Sequence, residues 1–229
     1  MSLSKLFRKL SNDLAYQGNL LWELIYPRRC AVCKNEIDTG YFCESCRQSF
    51  ELGKELTNVE SLDKVILLCK YQQQLQLAIH GVKFEGKSNL LPFLREEAQL
   101  ALKKSPHLQE LLVSTDIITC VPTSPKRKQE RGFEVPQELF AFLDNGKLQP
   151  NLLKRVRNTM PLFDLEPSLR RQEVAGCFEV QCSVAGKSVL ICDDIYTTGS
   201  TMCEAAQAFR KAGATKVIAL AFTASKDNW

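Results

Sequence analysis

Two adjacent carboxylates followed by a hydroxyl-rich loop are the residues of this chain best suited to chemistry. Asp193 and Asp194 follow an unbroken apolar run, residues 189–192, as expected of a strand buried on both faces. The loop after them contains Thr197, Thr198, Gly199, Ser200 and Thr201. Helical spacing then begins, so backbone N–H groups and hydroxyls gather at a helix N-terminus, where anions bind. Acids suited to sugar hydroxyls or a hydrated cation, beside an anion cradle, indicate a phosphorylated sugar as the ligand.

The run 189–201 resembles the phosphoribosyl-pyrophosphate (PRPP) signature of the type I phosphoribosyltransferases. The resemblance implies that Asp193 and Asp194 hold the ribose 2′- and 3′-hydroxyls and that residues 197–201 wrap the 5′-phosphate. An ordinary strand ending in a solvated acidic turn is a weaker interpretation, because many positions would have to agree by chance. A receiver-type acidic pocket would also end a strand in Asp-Asp, but it does not need the phosphate loop.

The composition describes a mildly basic chain with enough apolar residues for one full core. It has 229 residues, 45% of them hydrophobic, a net charge of +4 and a pI near 8.5. Such a charge permits an anionic partner without demanding nucleic acid. No stretch approaches the roughly 20 apolar residues of a membrane span, and the N-terminus lacks a signal-peptide core. We therefore expect a cytoplasmic protein without a membrane span.

Four of the ten cysteines form a second pattern, Cys30-x2-Cys33-x9-Cys43-x2-Cys46. Two Cys-x-x-Cys turns present four thiolates to one ion, which predicts a structural zinc site. A redox Cys-x-x-Cys comes singly, so zinc is favoured over redox or disulfide interpretations. Because such a short module has little core, we expect the metal to be a condition of its folding. The remaining six are expected to be small apolar core residues: Cys69, Cys120, Cys177, Cys182, Cys192 and Cys203.

Strand and helix patterns alternate over the rest of the chain. Strands are predicted at 64–71, 116–121, 189–192 and 216–223, helices at about 75–86, 89–104, from 136 and at 202–213, and a hairpin within 150–185. This alternation predicts an α/β fold with a mostly parallel sheet flanked by helices and ligands at the strand carboxyl ends.

The N-terminal segment has apolar residues at helical spacing with basic residues between them. This pattern predicts an amphipathic helix within residues 1–26, which either docks on a partner or membrane surface or, as we favour, packs on its own domain. The predicted domains are this helix, a four-cysteine zinc module at 27–60, and a phosphoribosyltransferase-like domain at 61–229.

The segment after the 116–121 strand is rich in positive charge. Lys126, Arg127, Lys128 and Arg131 place four cations within six residues, on the side of the sheet where Asp193 is expected. Cations fixed in place stabilise the charge of a departing pyrophosphate as it develops. From charge alone, a solvated basic turn or a surface for nucleic-acid phosphates is an equal alternative.

Taken together, these segments resemble the ComF/ComFC/GntX-like family, a branch of the phosphoribosyltransferases linked to bacterial competence. The resemblance spans about residues 27–225 and rests on the four cysteines, residues 82–86, residues 121–133 and the 189–201 run. It implies a role in uptake of single-stranded transforming DNA beside a competence helicase or translocase (ComFA-type), at the inner face of the membrane. It also implies PRPP with Mg²⁺ in the pocket, and pyrophosphate near Lys126, Arg127 and Arg131.

The chain departs from this family pattern where an acceptor would be contacted. Glu134 and Val135 stand where Asn-Gln is usual. The family's usual Gln is missing from residues 159–163, and its usual Asn is missing from residues 171–174. Apolar or acidic residues replace polar groups at these positions, which favours PRPP binding over transfer to a base.

Two functions follow from these observations. As a transferase, the protein would use Asp193 and Asp194 to hold ribose while pyrophosphate leaves C1′ and a nitrogen acceptor adds, as in nucleotide salvage. As an adaptor, it would dock a motor protein and hold single-stranded DNA by backbone charge and aromatic stacking. The stacking candidates are Phe133, Phe140 and Phe163, although core positions are expected for them.

Overall fold

The computed structural model describes residues 27–30, 33–38, 42–48, 52–70, 73–157 and 172–225. The chain divides into two compact units, Met1–Ser49 and Phe50–Trp229. The predicted N-terminal helix, Phe163 and the 159–163 segment lie outside the described residues. The domain boundaries after residues 26 and 60 stay predictions.

The first unit is built around a tight turn and a one-turn helix. Arg29 and Glu36 form an isolated antiparallel bridge, and the N–H of Lys34 donates to the carbonyl of Cys30 over 3.0 Å. This closes a turn in which Lys34 adopts the left-handed conformation, with φ of 63°. Helix α1 (Glu44–Gln48) follows and carries Cys46.

The second unit alternates strands and helices, as the sequence predicts. Its strands are β1 (Leu52–Leu56), β2 (Lys64–Cys69), β3 (Ile117–Cys120), β4 (Leu153–Arg155), β5 (Phe178–Val180), β6 (Ser188–Tyr196) and β7 (Lys216–Ala224). Its α-helices are α2 (Gln73–Phe84), α3 (Leu91–Lys103), α4 (Pro106–Ser114), α5 (Pro125–Arg131), α6 (Val135–Phe140) and α7 (Ser200–Lys211). Short 3₁₀ turns lie at Ser88–Leu90 and Ala141–Leu143.

The main sheet has five strands in the order β1-β2-β7-β6-β3. Strands β2, β7, β6 and β3 are mutually parallel, and β1 pairs antiparallel with β2 at one edge. The predicted hairpin is confirmed as the separate antiparallel pair β4–β5. Because the central strands are covered on both faces, they form continuous buried apolar runs, as in β7, where only Lys216 is exposed.

Helix α7 covers one face of the sheet and ends as the sequence predicts. Met202 and Phe209 belong to a core cluster with strand residues such as Ile191 and Ala219. The helix ends at Lys211, and Gly213 follows with a left-handed φ of 94°. The N–H of Gly213 donates to the carbonyl of Arg210, and the N–H of Ala214 donates to that of Phe209. These two bonds form a Schellman cap, which satisfies carbonyls that the helix end would otherwise leave unpaired.

Several elements differ from the sequence predictions. Strand β1 was not predicted, and β6 runs to Tyr196 instead of ending at residue 192 because β7 pairs with it as far as Ala224. Pro106 was expected only to follow the end of a helix, but it is also the first residue of α4. Ser105 caps this helix by accepting a hydrogen bond from the N–H of Leu108. Finally, Cys182 is exposed, so the prediction that it lies in the core is wrong.

The basic segment is also a short helix instead of a loop. Pro125 stands in the first turn of α5, where a missing N–H costs nothing, and Gly132 ends it at a φ of 81°. The helical conformation puts Arg127 and Arg131 one turn apart on the same face.

Candidate functional site

The two adjacent acids lie within β6 and are both buried. Asp193 is 9% exposed and Asp194 is 5% exposed. The backbone N–H of Asp194 donates a 2.8 Å hydrogen bond to Oδ1 of Asp193. Asp193 is in register with Ala221, near the carboxyl ends of the parallel strands, where ligands bind in open α/β sheets.

Lys83, at the end of α2, is a counter-ion of Asp194. Its Nζ lies 2.7 Å from Oδ1 of Asp194, and the two side chains are only 18% and 6% exposed. Shielding from water makes such a pair stronger than a surface ion pair. The sequence alone gives Lys83 no role. The two residues are 111 positions apart, and no local pattern links them.

The environment of Asp193 disfavours its charged form. Burial, and then the charge of Asp194, raises the pKa of Asp193 to about 8, while Lys83 and Arg155 act in the opposite direction. Two carboxylates in one poorly solvated site cannot both ionise easily. The site therefore favours the protonated form of Asp193, and a ligand donor or a cation would favour its carboxylate.

The hydroxyl-rich loop joins these acids to the N-terminus of α7. Gly199 adopts a left-handed φ of 77°, and a Cβ at this position would contact the ring and hydroxyl of Tyr196. The hydroxyls of Thr198 and Ser200 are 2.8 Å apart, and Thr201 lies in the first helical turn. Glycine is therefore required for the turn that brings these hydroxyls to the positive end of the helix dipole.

Two of the predicted cations converge on an exposed aromatic ring. The guanidinium carbons of Arg127 and Arg131 lie 5.6 and 5.8 Å from the ring centre of Phe84, which is 50% exposed. Burial, and then Arg127, lowers the pKa of Arg131, whereas Asp194 raises it. The charge of Asp194 thus acts on Arg131. Phe84, which lies under both arginines, follows Lys83 directly in the chain.

A further arginine that the sequence analysis missed comes from the β4–β5 hairpin. Arg155 lies over the ring of Phe178 at 4.9 Å, and its Nε donates to the carbonyl of Pro122 over 3.3 Å. Burial lowers the pKa of Arg155, and Cys177 and then Asp193 act against this effect. Arg155 therefore adds positive charge on the side of Asp193. Only the tertiary structure shows this, because the hairpin precedes β6 by many residues.

The other predicted residues of the basic segment take different places. Lys126 is exposed, and Lys128 pairs with Glu134 at 3.5 Å. Glu134 and Val135, which depart from the family pattern, are buried at the start of α6. Among the predicted stacking residues, Phe140 is fully buried, as expected of a core residue, and Phe133 is half-buried.

Residues 81–88 match the Gly-x-x-x-x-Gly-Lys-Ser pattern of a nucleotide P-loop, but they do not form one. A P-loop follows a strand, whereas Gly81 lies inside helix α2. Moreover, the N–H of Lys87 bonds to the carbonyl of Gly81, and the N–H of Ser88 bonds to that of Gly86. These groups are therefore already used within the turn, instead of facing a phosphate.

The four patterned cysteines of the first unit come together as predicted. All four Sγ atoms lie within 4.8 Å of one another, and those of Cys33 and Cys43 are 3.5 Å apart. A tetrahedral ion with Zn–S bonds of about 2.3 Å places its sulfurs roughly 3.8 Å apart, so the cluster fits a structural metal ion. Desolvation, and then hydrogen bonds with Cys43 and Cys33, raises the pKa of Cys46 to about 12, a crowding that a bound cation would relieve.

None of the helices in the described part of the chain is long and apolar enough to cross a membrane.

Comparison with known proteins finds a domain match for the C-terminal part of the second unit. Residues 150–228 match the phosphoribosyl transferase domain, a region that contains β6, its acids and the hydroxyl loop. Together with the mostly parallel sheet flanked by helices, this match confirms the predicted phosphoribosyltransferase-like fold.

Several known proteins are similar to this chain over most of its length. The chain is 27% identical over 200 residues to Competence protein F of Haemophilus influenzae, covering 82% of this chain and 86% of that protein. It is 28% identical over 199 residues to DNA utilization protein YhgH of Escherichia coli O157:H7, with the same coverage. Competence protein ComFC of Bacillus subtilis is 22% identical over 223 residues, 88% of each chain. The chain is thus similar over most of its length to proteins named for competence and for DNA utilization, and residues 150–228 match the phosphoribosyl transferase domain, in keeping with the resemblance noted in the sequence.

Proposed function

We propose that this protein binds PRPP and supports uptake of single-stranded transforming DNA with a helicase partner. The observation that carries the PRPP site is the buried pair Asp193 and Asp194 near the carboxyl end of β6, which a short loop joins to the N-terminus of α7. Carboxylates accept hydrogen bonds from a sugar diol, and a helix N-terminus with hydroxyls favours a phosphate. One molecule that carries a diol between two anionic groups matches this arrangement and the cations beside it.

Each part of PRPP has a set of residues suited to it. The 2′- and 3′-hydroxyls would donate to Asp193 and Asp194, and the 5′-phosphate would lie in the loop Thr197, Thr198, Gly199, Ser200 and Thr201. The pyrophosphate would lie toward Arg127 and Arg131, with Lys126 at the exposed edge. Mg²⁺ would accompany PRPP and neutralise part of its pyrophosphate charge.

The role in DNA uptake is supported by the names of the relatives, which refer to competence and to DNA utilization. The basic helix α5 offers a surface for nucleic-acid phosphates, and Arg127 and Arg131 of this helix lie over the half-exposed ring of Phe84. We place the protein in the cytoplasm, held at the inner face of the membrane through its partners. A DNA affinity that falls steeply with salt would support this contact, whereas salt-insensitive or absent binding would contradict it.

The alternative is an active transferase, and the positive charge that Lys83, Arg131 and Arg155 exert on the acid pair favours it. Pyrophosphate would leave C1′ with the bonding electrons, and a nitrogen acceptor would form the new bond to C1′ and lose its proton. Lys83, Arg127, Arg131 and Arg155 would stabilise the departing charge, so positioning and electrostatics would supply most of the acceleration.

For the four-cysteine cluster, we propose a structural Zn²⁺. Four sulfur ligands leave no open coordination position, so the ion would stabilise the fold of the first unit instead of taking part in catalysis. Freshly purified protein should contain about one equivalent of zinc, in keeping with one four-thiolate site. Less than about half an equivalent would argue against this assignment.

Calorimetric titration of PRPP with Mg²⁺ tests the pocket. We expect binding to wild type and a loss of at least about 100-fold in the Asp193→Asn/Asp194→Asn variant, because neutral amides replace the two charged acceptors of the sugar hydroxyls. A wild type that does not bind PRPP would rule out the pocket. Measuring pyrophosphate release with a panel of nucleobases then separates the transferase from a binding protein.

A further inference from the structure

We propose that Lys83 is an exchangeable counter-ion, which neutralises Asp194 in the free protein and moves to the ligand's pyrophosphate when sugar hydroxyls occupy Asp194. The proposal deepens the PRPP function proposed above and rests on it for the identity of the sugar. It gives Lys83 a part in selecting a sugar that carries both a diol and a second anionic group.

The first step is competition for one oxygen. Nζ of Lys83 lies 2.7 Å from Oδ1 of Asp194, in a site where both side chains are largely buried. A diol that donates to Asp194 must share this carboxylate with the ammonium or displace it. Displacement without a new partner would leave a cation in a poorly solvated place, which is costly.

The second step is that the ligand's pyrophosphate would lie near the displaced ammonium group of Lys83 and could become its new partner. Phe84, the next residue, carries the guanidinium groups of Arg127 and Arg131 over its ring, and Asp194 influences the pKa of Arg131. An anion drawn to these arginines therefore approaches the neighbourhood of the Lys83–Asp194 pair. The ammonium group stands on a flexible four-carbon stem with three donors, so a small rotation could transfer it from carboxylate to phosphate.

The third step is that the base of this stem is held in place. Gly81 and Val82 are buried, and the N–H of Glu85 bonds to the carbonyl of Gly81 at the helix end. The exchange thus requires the side chain to move while α2 stays in place. The expected result is discrimination: a sugar with a pyrophosphate gives Lys83 a new partner, whereas ribose 5-phosphate does not.

The test uses inorganic pyrophosphate, PRPP and ribose 5-phosphate as separate probes of the full chain. In Asp194→Asn, Lys83 is released, so we expect pyrophosphate to bind at least as tightly as to wild type. In Lys83→Met/Asp194→Asn, pyrophosphate affinity should fall about tenfold relative to Asp194→Asn, because a charge-assisted contact is lost. Equal affinity of these two variants would overturn the proposal. The double variant also avoids leaving Asp194 buried without Lys83.

The single variant Lys83→Met tests discrimination. Its PRPP affinity should fall about tenfold while that for ribose 5-phosphate stays within about threefold, because only PRPP offers the charge-assisted contact. Equal losses for both sugars would show that Lys83 merely supports Asp194, and would overturn the exchange.

The matched control is Lys87→Met, since Lys87 is exposed and pairs with Glu85. It should leave all three affinities unchanged, and a loss equal to that of Lys83→Met would contradict the assignment to Lys83. If wild type failed to bind PRPP, the proposed function would fall, while the pyrophosphate comparison would still decide whether Lys83 meets an anion.

Discussion

The two sides of the candidate site are built in different ways. The sugar and phosphate side comes from one stretch of chain, residues 193–201, in which a strand, a turn and a helix N-terminus follow directly. The cationic side is assembled from three separate segments, with Lys83 on α2, Arg127 and Arg131 on α5, and Arg155 on β4. A phosphate cradle needs a particular local backbone, whereas positive charge can reach the same place from any neighbouring element.

This difference has consequences for substitution. Residues 193–201, on the sugar and phosphate side, are constrained by backbone conformation, so a single change there should affect both fold and binding. The cations of the other side offer charge from several elements, so we expect each of them to contribute less.

The largest effect is expected at Gly199. Gly199→Val forces a branched side chain into a left-handed φ of 77° and against Tyr196. We expect a loss of about 3 kcal/mol in the free energy of unfolding, measured by urea denaturation, and no detectable PRPP binding. Gly146→Val is the matched control, since Gly146 has a φ of 87° but open space around it. If both variants lost the same stability, the contact with Tyr196 would not matter.

A smaller effect is expected at Arg155, on the cationic side. Arg155→Met removes positive charge that acts on Asp193 and a hydrogen bond to Pro122. PRPP affinity should fall about tenfold, with a stability loss of about 1–2 kcal/mol, as measured by calorimetry and denaturation. Lys154→Met changes an exposed residue of the same strand and should leave both quantities unchanged. A full loss of binding in Arg155→Met would mean that the cations are not interchangeable.

The pH dependence should follow Asp193. Its pKa of about 8 in the folded protein lies above the usual 3.8, so the folded state binds the proton more tightly than the unfolded state. This contribution to stability is complete below about pH 4 and is lost as the pH rises to about 8. Wild type should therefore lose stability relative to Asp193→Asn between about pH 5 and pH 8. Parallel stability curves for the two proteins would contradict the raised pKa.

Ligand binding should show the opposite trend over the same range. A diol that donates to Asp193 needs its carboxylate, so PRPP affinity should rise with pH and binding should release a proton. Calorimetry in buffers of different ionisation enthalpy measures that proton directly.

The smallest effect is expected at Phe84. Phe84→Leu removes the ring beneath Arg127 and Arg131 but keeps an apolar side chain. Each exposed cation–π contact contributes about 0.5–1 kcal/mol, so pyrophosphate affinity should fall about threefold. Leu77→Ala alters another exposed residue of α2 and should have no effect on that affinity. A larger loss would show that the ring itself contacts the ligand.

Much of the fold could be predicted because its signals are local. The apolar runs of β6 and β7, the helical spacing of Met202 and Phe209, and the cap at Gly213 all depend on residues close in sequence. The missed elements had ambiguous local signals. Pro106 both ends and begins helices, and the charges of α5 are equally suited to a solvated turn.

The sequence by itself determined the acids, the hydroxyl loop and the four clustered cysteines, because each depends on spacing within a short segment. Only the tertiary structure decided that Lys83 pairs with Asp194, that Arg155 approaches Asp193, and that Phe84 gathers two arginines. It also decided that the Gly-Lys-Ser pattern after Gly81 is a helix end. The physical reason is that charges and rings act through space, so their partners are set by how the elements pack and not by their order along the chain.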